Sequence, residues 1–134
     1  MLLTADQKLQ IVLAGAKTTL NAHGTVAYED VPLGANLDPT SPKFPQYGTA
    51  DFDTNGVTVV DVVQAPAAGF VRRILAVHLN NLDTGTITFS LNKYSLSLAA
   101  SLGVFWKWTA ATLYQVQYAR ESGWKMFTSA GVTE

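Results

Sequence analysis

The chain has 134 residues and a mass of 14.4 kDa, the size of a single domain, and we treat residues 1–134 as one domain. Its net charge is -1, so it lacks the broad cationic surface that holds a nucleic-acid backbone, and nucleic acid is not an expected partner. There is no cysteine, which excludes disulfides and thiolate metal sites.

Membrane association and export are also not expected. No apolar run approaches the ~20 residues of a membrane helix. The N-terminal segment carries Asp6 and Lys8 within its apolar part, unlike a signal peptide. Charged residues make up only 14% of the chain, against ~25% in typical soluble domains, which favours a surface that other subunits partly cover.

The first third of the chain predicts two strands and a long loop. Residues 8–14 and 24–31 alternate apolar and polar side chains, as half-buried strands do. Residues 32–55 contain four of the five prolines. Because proline removes a backbone donor from a β-ladder, we expect this segment to be an extended loop or arm. Its prolines are Pro32, Pro39, Pro42 and Pro45.

The middle third predicts a β-hairpin. Residues 55–63 begin with the turn signal Asn-Gly and continue as a β-branched strand. Residues 71–79 form the next strand, with Arg73, Leu75 and Val77 on one face and Arg72, Ile74 and Ala76 on the other. Residues 80–85, NNLDTG, are a turn, and residues 86–92 return with alternating apolar side chains. We expect these two strands to pair as the central hairpin of a sandwich.

The last third is aromatic. "SLSLAAS" favours a strand or a short helix, and the segment after Gly103 favours a loop that presents Phe105, Trp106 and Trp108. Residues 114–118 alternate aromatic or apolar side chains with two glutamines, which predicts a strand. The predicted fold class is therefore all-β: a single antiparallel β-sandwich, jelly-roll or immunoglobulin-like, with an extended proline-rich loop or arm.

No pattern of catalytic or metal-binding residues is recognisable. His23 and His78 lack neighbouring ligands at metal-binding spacing. Asp51, Asp53 and Asn55 alternate like the start of a calcium loop, but Val62 stands where that loop needs a bidentate glutamate, so a β-turn is favoured. We expect no enzyme, no catalytic residues, no metal and no cofactor.

Two features fit either ligand binding or subunit contacts. Arg72 and Arg73 are consistent with phosphate binding, but isolated pairs more often form interface ion pairs. The C-terminal aromatics are consistent with a sugar-stacking platform, although the same residue types dominate interface anchors. These aromatics are Phe105, Trp106, Trp108, Tyr114, Tyr118 and Trp124.

Three segments carry a resemblance to a known class of proteins: "LQIVLAGAKTT", "NGVTVVDVVQAPAAGFVRRILAVHLNNLDTGTITFSLN" and "ATLYQVQYARESGWKMFTSAG". The chain resembles small β-sandwich structural proteins of tailed-bacteriophage virions, of the capsid-decoration, head-fibre or tail-associated type. The shared pattern is an Ala-Pro turn, an arginine-containing strand, an Asn/Asp turn, a Thr-rich return strand and a closing Gly-Trp.

The resemblance implies a non-enzymatic capsid decoration or cement subunit in the virion, made in the host bacterial cytoplasm. Its expected partners are the major capsid protein or other virion proteins and further copies of itself, with a trimer favoured. The alternative is a fibre or tail module that stacks host polysaccharide on Trp106, Trp108 or Tyr114; an enzyme ranks third. The expected interface residues are Arg72, Arg73, Phe105, Trp106, Trp108, Pro39, Pro42 and Pro45.

Overall fold

The computed structural model describes residues 1–34 and 45–131, and within them all regular secondary structure is β-strand. The strands are β1 (Leu2–Leu3), β2 (Gln7–Leu13), β3 (His23–Pro32), β4 (Gln46–Asp53), β5 (Val60–Val63), β6 (Phe70–Asn80), β7 (Ile87–Ser95), β8 (Ala100–Ala110), β9 (Gln115–Ala119) and β10 (Gly123–Phe127).

The strands form two antiparallel sheets that pack face to face. The larger sheet has the order β10-β9-β6-β3-β4, with β1 paired to the first half of β6. The smaller sheet has the order β5-β2-β7-β8. The predicted fold class, an all-β antiparallel sandwich, is confirmed.

The two ends of the sandwich differ in their connections. At one end, called here the crossover end, residues 14–22, 54–59, 81–86 and 111–114 each carry the chain from one sheet to the other. At the opposite end, called the hairpin end, β3–β4, β7–β8 and β9–β10 are each joined within one sheet, and residues 4–6 and 64–69 cross between the sheets. The two ends therefore present different sets of loops.

The core lies between the sheets and follows the alternation of the strands. β2 buries Leu9, Ile11 and Leu13, and β7 buries Ile87, Phe89 and Leu91, as the alternating pattern predicts. The larger sheet contributes a matching set, and each large apolar side chain stabilises the fold by roughly 1.5–3 kcal/mol. These residues are Val26, Phe52, Ile74, Val77, Leu79 and Val116.

The predicted central hairpin is wrong. β6 belongs to the larger sheet and β7 to the smaller one, so residues 81–86 cross between sheets and do not close a hairpin. Asn81 stabilises this crossing, because its buried side-chain amide donates to the carbonyls of Gly85, Ala110 and Ala111.

The predicted faces of β6 also need correction. The ladder between β3 and β6 shifts register so that Leu75 has no paired residue, and β6 carries a bulge there. A bulge adds one residue to a strand and reverses its alternation. Arg72 and Ile74 are therefore buried before the bulge, and Val77 and Leu79 after it.

The expected loop over residues 32–55 is partly wrong. β3 continues through Pro32, and Gln46–Asp53 form β4, a proline-free strand at the edge of the larger sheet. Residues 35–44, including Pro39 and Pro42, lie outside the described residues. Neither alternative for residues 95–101, a strand or a short helix, describes that segment, because residues 96–99 form a turn and β8 begins at Ala100. The loop expected after Gly103 is also wrong, because Phe105, Trp106 and Trp108 lie within β8.

Candidate interaction surfaces

Arg72 lies inside the fold, paired to its neighbour strand. Its guanidinium donates to both carboxylate oxygens of Asp30 at 2.7 Å and to the carbonyl of Gln64 at 2.8 Å. It also lies 3.9 Å from the centre of the Tyr28 ring. Hydrogen bonding to Asp30 raises the pKa of Arg72, outweighing the opposite effect of burial. All of these partners belong to the same chain.

Arg73 points to the other side of the same strand and has its own acidic partner. It donates to Glu29 at 2.7 Å, and Arg120 approaches the same carboxylate at 3.8 Å. Glu29 is buried whereas Arg73 is about one-third exposed. Neighbouring arginines in the sequence thus serve two separate internal ion pairs, and their expected role at a subunit interface stays a prediction.

Trp106 and Trp108 lie in an aromatic cluster that closes the open side between the two sheets. The Trp106 ring stacks on Trp124 with centroids 3.5 Å apart and planes 7° apart. Trp108 lies 4.4 Å from Trp106 and donates its indole N–H to the sulfur of Met126. Because β8 and β10 belong to different sheets, these rings tie the two sheets together.

Phe105 belongs to a different surface. From Ala100 to Phe105 every residue of β8 is exposed, and β8 is an edge strand with β7 on one side only. β7, the turn after it and β8 form a hairpin, and its exposed apolar side chains form what we call the hairpin surface: Leu96, Leu98, Leu102, Val104 and Phe105.

The turn that bears part of the hairpin surface is well ordered by hydrogen bonds. The Asp6 carboxylate accepts from the Ser95 hydroxyl at 2.6 Å and from the Ser97 N–H at 2.7 Å. These hydrogen bonds lower the pKa of Asp6, and the bond from the Ser95 hydroxyl has the largest effect.

Pro45, the one residue of the predicted proline set that is described outside a strand, is exposed directly before β4.

A second apolar surface covers the crossover end and was not predicted. Its members come from four different loops and are all exposed: Leu20, Val57, Val59, Leu82 and Leu113. We call this set the crossover surface. A sequence signal exists for Leu82, a large aliphatic within the predicted turn NNLDTG, whereas the β-branched pattern of residues 55–63 assigns Val57 and Val59 to a strand.

Asp83 holds the loops of the crossover surface together. Its buried carboxylate accepts from the N–H groups of Thr18, Thr19 and Leu20 at 2.6, 2.7 and 3.2 Å. Burial raises the pKa of Asp83, but these hydrogen bonds outweigh it and hold that pKa well below its usual range. The 14–22 loop is thus fastened to the 81–86 loop.

The remaining loops of this end are fastened in the same way. The N–H of Leu113 donates to the carbonyl of Asn81 at 3.0 Å, and the N–H of Gly56 donates to the Asn21 side chain at 3.1 Å. The turn at residues 55–58 places Gly56 at a φ of 54°, which glycine adopts without strain. The Asn-Gly turn signal is therefore confirmed.

The acidic and histidine candidates lie in pairs on the larger sheet. His23 meets the Asp53 carboxylate at 2.8 Å, the Thr25 hydroxyl donates to Asp51, and His78 contacts Gln115. Among residues 1–34 and 45–131, no three His, Cys, Asp or Glu side chains are grouped to hold a metal ion. Asp51 and Asp53 belong to β4 and not to an ion-binding loop.

Two shallow depressions mark the surface of the described chain. One, of about 240 Å³, lies between residues 14–16 and residues 86–88 at the crossover end. The other, of about 340 Å³, lies beside the exposed Tyr47 over Ala27, Thr49 and Leu75.

No described helix is long and apolar enough to span a membrane.

Comparison with known proteins adds no relative. No protein family matches the chain, and no curated protein and no solved structure matches it significantly. Function is therefore inferred from the geometry of this chain and from the resemblance described above.

Proposed function

We propose that the chain is a non-enzymatic structural protein of a bacteriophage virion, a capsid decoration or cement subunit. It forms homo-oligomers and binds the major capsid protein. The observation that carries this proposal is the pair of exposed apolar surfaces at opposite ends of the sandwich, the hairpin surface and the crossover surface. Exposed apolar patches of this kind mark contact sites between proteins.

Two surfaces allow one subunit to make two kinds of contact at once. In this proposal one surface contacts further copies and the other contacts the capsid. Each contact gains roughly 25 cal/mol for every Å² of apolar surface removed from water. Many linked contacts then act together over the capsid, so weak individual binding still adds resistance to the pressure of packaged DNA.

The crossover surface is the one we assign to the capsid. Its loops are fastened by Asp83, Asn81 and Asn21, so little conformational freedom is left to lose on binding. A rigid apolar end suits a fixed site repeated on a capsid. Tyr47, by contrast, is exposed on the edge strand β4 of the larger sheet and serves as a reference position outside both surfaces.

The polysaccharide alternative has less support at the tryptophans. A sugar stacks on the open face of an aromatic ring, and Trp124 already covers one face of Trp106 at a centroid distance of 3.5 Å. Trp108 is engaged by Trp106 and Met126. Both rings therefore have an internal packing role in place of an open platform.

Binding to purified capsids that lack this protein tests the proposal. We expect the wild-type chain to saturate such capsids at a fixed ratio per capsid subunit. Val57→Lys, in the crossover surface, should weaken binding at least tenfold, whereas Tyr47→Lys should bind like wild type. Saturable binding to host cells or purified surface glycans with no capsid binding would overturn the proposal in favour of receptor recognition. Turnover of a cell-wall substrate would overturn it in favour of an enzyme.

A further inference from the structure

We propose that the exposed half of β8 pairs with the same segment of a second copy, antiparallel, about a two-fold axis at Gly103. This inference rests on the proposed function, because it names the partner and register of the homo-oligomer. A two-fold contact joins two copies, so the expected oligomer is a dimer and not the trimer favoured above.

The β8 edge differs in charge from the other sheet edges. The edge strands β4, β5 and β10 carry Asp51, Asp61 and Lys125, as protected edges commonly do. Residues 100–106 of β8 carry no charge and no proline. Among the described edge strands, this stretch of β8 therefore lacks the protection that a charge or a proline gives.

The same segment stands apart from the body of the sandwich. The ladder between β7 and β8 shifts register twice, between Leu91 and Asn92 and between Asn92 and Tyr94. Gly103 has a φ of 108°, a conformation that favours glycine. Such irregularities bend a strand, and here they accompany a segment whose residues are exposed, with the Lys93 ammonium 5.5 Å from the centre of the Phe105 ring. Its apolar side chains are accessible to a partner from several directions.

Antiparallel pairing about Gly103 makes the segment complementary to itself. Leu102 then lies opposite Val104 of the second copy, and Val104 opposite Leu102, while the two glycines meet where no side chain obstructs them. Aliphatic cross-strand pairs of this kind stabilise a sheet. The self-complementarity points to a second copy as the occupant of this edge.

Charge favours the same register. Lys107 falls opposite Ala99 of the second copy, in the turn where the Asp6 carboxylate binds Ser97. In this register Lys107 of each copy lies toward the turn that holds Asp6 of the other copy, which brings charges of opposite sign to the same region. Moving the axis to Lys107 would instead place two lysines directly opposite each other, which is unfavourable.

The available area is of the right order for a dimer. Side chains of this size present roughly 200 Å² when free, so exposures of 43–68% leave about 500 Å² of apolar surface on each copy. A standard interface buries about 800 Å² per partner. The backbone edge and the exposed polar side chains of β8 would add to this apolar area.

Native mass in solution tests the inference on the full chain. We expect twice the 14.4 kDa chain mass at micromolar concentration. Val104→Lys should shift the chain to monomer, with dimer dissociation raised at least tenfold. Val57→Lys is a matched control, since Val57 and Val104 are both 61% exposed, and it should remain a dimer. Unchanged circular dichroism of both variants confirms that each is folded.

Disulfide trapping tests the register. The chain has no cysteine, so Leu102→Cys combined with Val104→Cys should give a covalent dimer on oxidation. Directly opposite residues in antiparallel strands lie within disulfide range. Ser101→Cys combined with Val104→Cys should give far less, because Ser101 faces Phe105 in this register.

Three results would overturn the inference: a monomer at all concentrations, a trimer, or a dimer that Val104→Lys leaves intact. A monomer that still saturates capsids would leave the proposed function standing without this contact. A dimer sensitive to Val104→Lys that ignores capsids would keep the contact and overturn the proposed function.

Discussion

Replacing Arg72 distinguishes a folding role from an interface role. In Arg72→Leu the two hydrogen bonds to Asp30 and the bond to the Gln64 carbonyl are lost. The Asp30 side chain, only 16% exposed, then holds a negative charge with its guanidinium partner gone. Removing one partner of a buried pair costs roughly 3–5 kcal/mol. A domain of this size is typically stable by about 5–15 kcal/mol, so a large part of the folding free energy is lost.

Urea unfolding followed by tryptophan fluorescence measures this cost. Three tryptophans report on packing, and an unchanged dependence on urea concentration shows that the compactness of the unfolded state is the same. Arg120→Leu is the matched control, because Arg120 is 53% exposed and 3.8 Å from Glu29. Loss of such an exposed pair should cost about 0–1 kcal/mol.

A double variant keeps the measurement interpretable if Arg72→Leu does not fold. Arg72→Leu combined with Asp30→Leu removes both charges, and replacing a buried pair by apolar residues is often close to neutral. We therefore expect most of the lost stability to return. An Arg72→Leu variant with wild-type stability and impaired assembly would refute the internal role and identify Arg72 as an interface residue.

Three further predictions concern the loops, the core and the aromatic cluster. Asp83→Asn should lower the urea midpoint at pH 7, because an amide cannot accept hydrogen bonds from so many N–H donors. The pKa of Asp83 is depressed in the folded state, so its contribution to stability is present above about pH 4 and is lost progressively as the pH falls. The difference in urea midpoint between the variant and wild type should therefore shrink toward pH 2. Gly24→Ala should cost about 1–3 kcal/mol in urea unfolding, because its methyl group would collide with the Phe52 ring and lie 2.7 Å from the carbonyl of His78, whereas Gly15→Ala, with open space, should cost far less. Trp124→Ala should remove the near-ultraviolet circular dichroism of the stacked indoles.

For each of these three predictions, one experimental result would contradict it. A difference between Asp83→Asn and wild type that stays constant from pH 7 to pH 2 would contradict the depressed pKa. Equal stability of the Gly24→Ala and Gly15→Ala variants would contradict the close approach of β3 to Phe52. An unchanged aromatic spectrum in Trp124→Ala would show that the Trp106 stack is not formed in solution.

The strands were predictable where one face meets the core and the other does not. β2, β7 and β9 follow simple alternation, and their buried faces are the expected ones. Which strands pair was not predictable, because alternation fixes the face of a side chain but not its neighbour strand. The bulge at Leu75 also has no signature in "RRILAV", so the second half of β6 was assigned to the wrong face.

The candidate sites were harder to predict than the fold for the same reason. "ED" at residues 29–30 and "RR" at residues 72–73 are complementary only once β3 and β6 are known to be antiparallel neighbours, with Glu29 opposite Arg73 and Asp30 opposite Arg72. Without that register the arginines look free for a partner. Among the exposed apolar residues of the crossover end, Leu82 stands in a predicted turn, but Val57 and Val59 stand in a predicted strand, and β5 begins only at Val60.

The distribution of polar groups explains why association suits this chain. A small share of charged residues, 14%, is further reduced at the surface, because Arg72, Asp30, Glu29 and Asp83 are engaged inside the fold. In other proteins, exposed charges oppose association by electrostatic repulsion, whereas these charged side chains form ion pairs and hydrogen bonds within the fold. The hydrogen bonds of Asp83 order crossover loops, and those of Asp6 order the hairpin turn, so exposed aliphatic residues stand on loops that carboxylates hold in place. The proposed contacts with further copies and with a capsid would bury the exposed apolar residues of these loops.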